Sequence, residues 1–157
     1  MHAKVVVVGS LNMDLVARAE RLPRGGETLA GDSFFTAPGG KGANQAVAAA
    51  RLGASVAMIG NVGDDAYGQQ LRQALQDEGV DCQAVAICEG VSSGLALIVV
   101  DAASQNAIVI IAGGNGQLTA SSRGGCLPVG GAAGHGRLDI GPRPRTGQDG
   151  DSQSCTG

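Results

Sequence analysis

Lys4 to Gly9 (KVVVVG) is an unbroken apolar run closed by glycine, and Ser55 to Gly60 (SVAMIG) repeats the pattern. Short apolar runs with no polar alternation predict strands buried on both faces of a mostly parallel sheet. Between the two runs, Ala43, Ala46, Val47 and Ala50 fall on one side of a 3.6-residue repeat, which predicts a helix stopped by Gly53. After the second run, Tyr67, Leu71, Ala74 and Leu75 recur at the same spacing. Asp64 or Asp65 is placed to cap that second helix, and Gly79 to end it. Strand, helix, strand, helix predicts an α/β fold.

Three further stretches predict strands of another kind: Leu29 to Ala37, Gly94 to Asp101 and Asn106 to Ala112. They alternate less cleanly and are bounded by polar turns, and the last two form a hairpin through Ala102 to Gln105. Such strands either extend the main sheet, the commoner case, or build a small separate sheet over a site. Near Thr119 the chain changes character. Residues 120–157 hold 10 glycines, 3 prolines and four residues drawn from Leu, Ile, Val and Phe. So little apolar surface does not offset backbone ordering, about 1 to 2 kcal/mol per residue. The expectation is a packed region over 1–119 and a tail without a core over 120–157. The tail has the Gly, Arg, Pro and Ala excess of an out-of-frame reading of GC-rich DNA.

Composition narrows the function classes. With 157 residues, 43% of them hydrophobic, and a formal charge of -3, the chain fits one globular domain. No apolar run approaches the roughly 20 residues of a spanning helix, and the first residues lack a signal-peptide pattern. The expected location is cytoplasmic, with no membrane partner. A mildly acidic chain without a long Lys/Arg run predicts no nucleic-acid partner either. Cys82, Cys88, Cys126 and Cys155 form no C-x-x-C pair, and His2 and His135 stand alone, so structural or unpaired thiols are expected rather than a metal site or a histidine relay.

The candidate chemistry lies in APGGKGANQAVAAARLG, Ala37 to Gly53, where glycines and a lysine crowd the mouth of the first helix. Glycines let backbone N–H groups approach a ligand, and a helix N-terminus carries roughly half a positive charge. Gly39, Gly40 and Gly42 therefore suit hydroxyl or phosphate oxygens; a tight strand-to-helix loop would use the same residues. A Walker A loop is excluded, because its first glycine would fall at Phe35 and Gly42 follows Lys41. The dinucleotide fingerprint is absent from GSLNMD, Gly9 to Asp14. In that segment Asn12 and Asp14 emerge beyond the carboxyl end of the first strand, where α/β sheets collect ligands, and alternation puts both on one side. An amide beside a carboxylate can donate to and accept from vicinal hydroxyls, which suits a sugar, although both residues are also ordinary turn formers.

GSLNMD, PRGGET at Pro23 to Thr28, GGKGANQAVAAARLG at Gly39 to Gly53 and GNVGDDAYG at Gly60 to Gly68 resemble, in order and spacing, the N-terminal part of the ribokinase type of the PfkB family of carbohydrate kinases. The likeness covers about residues 4–119, ending at IAGGNGQLT. It implies a Rossmann-like, here incomplete, α/β core with a small β-sheet lid, and transfer of a phosphoryl group from ATP to the 5-hydroxyl of ribose with Mg²⁺, a monovalent cation being a further expected ion. On this resemblance Asn12 and Asp14 hold sugar hydroxyls, and Gly40, Lys41, Gly42, Ala43 and Asn44 form the second sugar-contacting segment. Ala96 and Ile108 lie on lid strands over a ribose or related furanose, with a homodimer formed through the lid.

The family's catalytic base belongs to a G-A-G-D motif that this sequence lacks; GQDGD at Gly147 to Asp151 echoes it without a strand and helix to place it. Phosphoryl transfer depends on a positioned base and charge stabilisation. The expectation is a truncated, inactive kinase with no ATP pocket of its own. A noncatalytic sugar-binding or dimerising module is the alternative, and a nucleotide-binding regulatory domain a weaker third.

Overall fold

The computed structural model describes residues 4–119. The tail expected to lack a core, with His2, Cys126, His135 and Cys155, lies outside the described residues.

Three parallel strands make the first sheet. β1 (Lys4–Val8) pairs with β4 (Ser55–Gly63), and β4 pairs with β5 (Asp81–Cys88), in the order β1-β4-β5. Helix α1 (Lys41–Arg51) lies on β1 and β4, helix α2 (Ala66–Asp77) lies on β4 and β5, and the two helices touch. Both therefore cover one face, where Val7, Ala43, Ala46, Met58, Leu71, Leu75 and Val85 are buried together. Each large apolar side chain removed from water there contributes about 1.5 to 3 kcal/mol. The sequence predicts β1 as buried on both faces; the structure corrects this. Val6 and Val8 are each 63% exposed, because both helices lie on the Val7 side and no described element covers the other.

Glycines end both helices as predicted: Gly53 has φ +87° and Gly79 φ +76°, a region that costs other residues strain. Asp65, not Asp64, caps α2, its carboxylate accepting the Gly68 N–H at 2.8 Å. Strand β5 was not anticipated, since DCQAVAIC carries two alanines and two polar residues where a strand signal needs β-branched ones.

The second sheet is separate from the first, so the lid arrangement holds rather than the commoner extension of the main sheet. Its order is β3-β2-β6-β7, from β3 (Ser33–Gly39), β2 (Asn12–Arg18), β6 (Gly94–Val100) and β7 (Asn106–Ile111). The hairpin β6–β7 turns where predicted, with the Asp101 carboxylate accepting the N–H groups of Ala103 at 2.9 Å and Gln105 at 2.8 Å. Two boundaries move. β3 begins at Ser33 rather than Leu29, and the segment after GSL is itself a strand, β2, central to this sheet. In β2, Met13 and Leu15 point to the core while Asn12, Asp14 and Val16 take the other face, the two-residue period of a strand. Only Gly9, Ser10 and Leu11 separate β1 from β2, and the fully buried Leu11 anchors that turn.

Candidate functional site

The β1–β2 turn and the start of α1 are fitted backbone to backbone. A Cβ on Gly42 would sit 2.7 Å from the Gly9 Cα, and one on Gly9 would sit 2.8 Å from the Gly42 Cα, closer than side chains pack. Gly40, the N-cap residue, has φ +97°, and a Cβ there would come within 2.6 Å of the Ser10 carbonyl oxygen. Glycine is therefore dictated at 9, 40 and 42 by contact, so the tight-loop reading of these residues is true as far as it goes. It does not account for the polar groups around them.

Helix α1 begins without a side-chain cap. Of the first N–H groups, which have no partner inside any helix, that of Ala43 is given to the Ser10 carbonyl at 3.2 Å, and the helical ladder itself begins with the Asn44 N–H donating to the Gly40 carbonyl at 2.9 Å. The N–H groups of Lys41 and Gly42 remain, at the positive end of the helix. Asp14 faces this corner. It pairs across the sheet with Ala37 on one side and Ala96 on the other. Its carboxylate lies over Gly39, an oxygen 2.5 Å from where a Cβ would stand, so a larger residue there would push the carboxylate aside. No hydrogen bond or ion pair to the Asp14 carboxylate is found among the described residues, and burial pushes its pKa above the usual value of 3.8. A half-buried carboxylate with no partner among the described residues is a candidate ligand-binding group.

Asn12 lies two residues earlier on the same face, paired with Gly39 and Gly94. Its oxygen accepts a hydrogen bond at 2.8 Å from the side-chain amide of Asn115, in the short 3₁₀ turn Gly113–Gln117. The same Asn115 amide donates to the Leu11 carbonyl at 2.9 Å and accepts the Leu11 N–H at 2.9 Å. Sequence reasoning missed Asn115. The signal available was one polar amide among glycines in IAGGNG, directly after a lid strand.

Asn12 and Asp14 share one face of β2: Gly39, next to Gly40, Lys41 and Gly42 at the start of α1, stands across from Asn12 and under the Asp14 carboxylate, and Ala96 is directly beside Asp14. Ile108 is on the same face of the lid sheet two rows further out, across from Ile98 and Val16. Ala43 is buried, its N–H taken. Asn44 is exposed and borders a groove of about 340 Å³ between the helices, with Pro38, Val47, Leu71 and Leu75. No hydrogen bond joins it to Asn12 or Asp14 among the described residues. PRGGET forms a surface loop in which the Glu27 carboxylate accepts from the Arg21 guanidinium and the Arg24 N–H, and the Arg21 bond leads in lowering its pKa to about 2.

A second aspartate sits at the other strand-to-helix junction. Asp65 accepts the Ser93 hydroxyl at 2.6 Å and the Ser93 N–H at 2.8 Å besides capping α2, and the buried Ser93 oxygen accepts the Gly63 N–H at 3.0 Å. Burial alone would raise the Asp65 pKa, but these bonds together hold it below the usual value. The GNVGDDAYG segment is thus a closed hydrogen-bond knot. Among the described residues no cluster of three His, Cys, Asp or Glu side chains could hold a metal.

Residues 2–123 match the family described as pfkB family carbohydrate kinase. The chain belongs to the PfkB family. Among curated PfkB-type relatives, the ribokinase of Bacillus subtilis is 49% identical over 115 residues, covering 73% of this chain and 39% of its own length. Among solved structures, ribokinase from Cryptococcus neoformans in complex with ADP aligns with a TM-score of 0.70 at 34% identity, covering 78% of this chain and 38% of the other. Ribokinase from Arabidopsis thaliana, complexed with ribose and ATP, aligns with a TM-score of 0.66 at 38% identity, over 73% of this chain and 38% of the other. The chain thus spans just under two fifths of the length of these relatives.

Proposed function

We propose that these residues are the sugar-binding part of a ribokinase-type kinase, which transfers the γ-phosphoryl group of ATP to ribose or a related furanose. The observation that carries the reading is the Asp14 carboxylate, half-buried and without a partner among the described residues, facing the uncapped start of α1. Asp14 accepts from sugar hydroxyls, Asn12 shares them, and the Gly40–Gly42 backbone with Lys41 closes the other side. Ala96 and Ile108 supply the apolar cover. Asn44 belongs to the set only by family likeness.

ATP use is supported by solved relatives bound to ADP or to ATP, and Mg²⁺ is implied by the family resemblance; among the described residues there is neither a cation cluster nor a phosphate fingerprint to hold them. Nor do those residues contain a G-A-G-D base. The 157 residues alone are therefore expected to bind sugar without turning it over. Apolar residues exposed on both sides of the lid sheet, among them Phe34 at 64%, Val109 at 61% and Ile110 at 67%, support pairing of two lids in a homodimer.

The test is calorimetry with ribose, alongside ADP release with ribose, ATP and Mg²⁺. Saturable binding lost in Asp14→Ala, with ADP release at background, is the expected result. A soluble, folded chain with no affinity for ribose or a related furanose overturns the sugar site; turnover abolished by Asp14→Ala overturns the inactivity.

A further inference from the structure

The backbone of the β1–β2 turn determines which end of the Asn12 amide faces outward. Leu11 presents one N–H and one carbonyl to the Asn115 side chain, 2.9 Å each. A backbone N–H can only donate and a carbonyl can only accept, so the Asn115 oxygen must face the first and its nitrogen the second. The remaining proton on that nitrogen points at the Asn12 side chain, 2.8 Å away. The atom it meets must be the Asn12 oxygen, because two amide nitrogens at that distance would both present protons. The Asn12 NH₂ group therefore turns the other way. It has no partner among the described residues, on the face it shares with Asp14.

Gly94 keeps this clamp tight. A Cβ there would run into the Asn115 amide nitrogen and the Asn12 oxygen, so any other residue would push the two apart. Asn115 comes just after lid strand β7, and Gly94 opens lid strand β6. The base of the lid is thereby bonded to the turn that carries the sugar-facing groups.

We infer that Asn115 is a positioning residue: it holds the Asn12 amide with its NH₂ group toward the sugar, so that Asn12 serves as the donor and Asp14 as the acceptor for neighbouring hydroxyls. The inference deepens the sugar-binding reading and rests on it for the ligand, whereas the clamp itself stands on the protein geometry alone. A donor and an acceptor side by side select a diol by polarity. One hydroxyl oxygen accepts a hydrogen bond from the Asn12 NH₂ while a neighbouring hydroxyl donates one to the Asp14 carboxylate.

The test uses the full ¹⁵N-labelled chain and ribose. In the free protein one Asn115 side-chain proton is expected to exchange slowly, and Asn12→Ala to shift that resonance. Ribose is expected to move the Asn12 NH₂ signals and to leave the Asn115 pair near its place. Asn12→Asp keeps an acceptor for Asn115 but has no donor, so it should retain the wild-type fold and bind ribose about tenfold more weakly. Asn115→Asp, which removes the donor that orients Asn12, should also lose about tenfold. Asn115 resonances indifferent to Asn12→Ala overturn the clamp whatever the sugar does. A shifted Asn115 resonance with both amides blind to ribose overturns the donor role together with the sugar reading. Undiminished ribose affinity in either Asn12→Asp or Asn115→Asp overturns the donor assignment alone.

Discussion

The two helices of the core begin at equivalent places, each beside the carboxyl end of a parallel strand, and they finish their N-termini in opposite ways. At α2 the Asp65 carboxylate is bonded to Gly68 and twice to Ser93. At α1 the N-cap is Gly40, with no side chain to offer, and Asp14 nearby is bonded to nothing among the described residues. Both junctions have tight glycine contacts, at Gly9 and Gly42 in one and at Gly63 and Gly68 in the other. Glycine content therefore does not separate a ligand site from a structural turn. On the proposed reading, what separates them is whether the carboxylate's lone pairs are filled by the described residues.

The largest effect is expected at the filled junction. Asp65→Ala removes the cap of α2 and leaves the buried Ser93 hydroxyl and two N–H groups without their acceptor. A lost cap costs about 1 kcal/mol and each buried unsatisfied group about 1 to 3, so a loss of about 3 kcal/mol is expected by urea unfolding. At the open junction Asp14→Asn should reverse the pattern. Ribose affinity falls roughly 100-fold as charge-assisted hydrogen bonds are lost, while the melting temperature at neutral pH holds or rises, because an uncompensated half-buried charge is gone. A melting temperature that drops in Asp14→Asn as far as in Asp65→Ala would erase the distinction between the junctions.

Much of this was legible in the sequence. The valine run of β1, the alanine face of α1, the Gly53 and Gly79 stops and the β6–β7 hairpin each carry a local signal that tertiary contacts do not contradict. Asn12 and Asp14 could be placed on one face by alternation alone. Other features could not be read that way. β2 hides because Asn12 and Asp14, two polar residues among the first three of NMDLVAR, lie on the face away from the core. β5 hides because its alanines pack well without strand propensity. The exposure of Val6 and Val8 depends on which face the helices choose, a matter the strand's own residues leave open. Asn115 acts 103 residues from Asn12, a separation at which no spacing rule operates, and Asn44 obeys the motif while its helix sets it beside a groove.

A smaller effect distinguishes the two uses of glycine. Gly42 lies in the first turn of α1, where alanine is intrinsically the better helix former by up to about 1 kcal/mol. A Cβ there meets backbone, 2.7 Å from the Gly9 Cα and 2.9 Å from the Ser10 nitrogen, and backbone cannot rotate aside. Gly42→Ala should therefore destabilise the chain by about 2 kcal/mol despite the propensity gain, and shift the helix start away from Asp14, weakening ribose in parallel. If Gly42→Ala is as stable as the wild type and binds ribose equally, the close fit of α1 to the β1–β2 turn plays no part in shaping the site.

The smallest expected effect is one of pH, and here the two aspartates differ in sign. The Asp14 pKa is raised in the folded chain by burial, so the folded state holds this proton more tightly than the unfolded one. Its ionised form weakens the fold at neutral pH, and the penalty fades as pH falls through the raised value. The Asp65 pKa is lowered, its hydrogen bonds outweighing burial, so its contribution is present above the usual 3.8 and is lost as pH falls through the lower folded value. Melting curves of wild type, Asp14→Asn and Asp65→Asn between pH 7 and pH 3 should separate these. The Asp14→Asn advantage shrinks first on acidification, at a pH where the Asp65→Asn deficit is still intact. Saturating ribose should reverse the first trend, since a carboxylate engaged by hydroxyls titrates lower. An Asp14→Asn difference that stays constant across this range with and without ribose would mean that the Asp14 carboxylate is as well solvated as any surface acid, and the contrast between an open and a filled junction would fail at its chemical root.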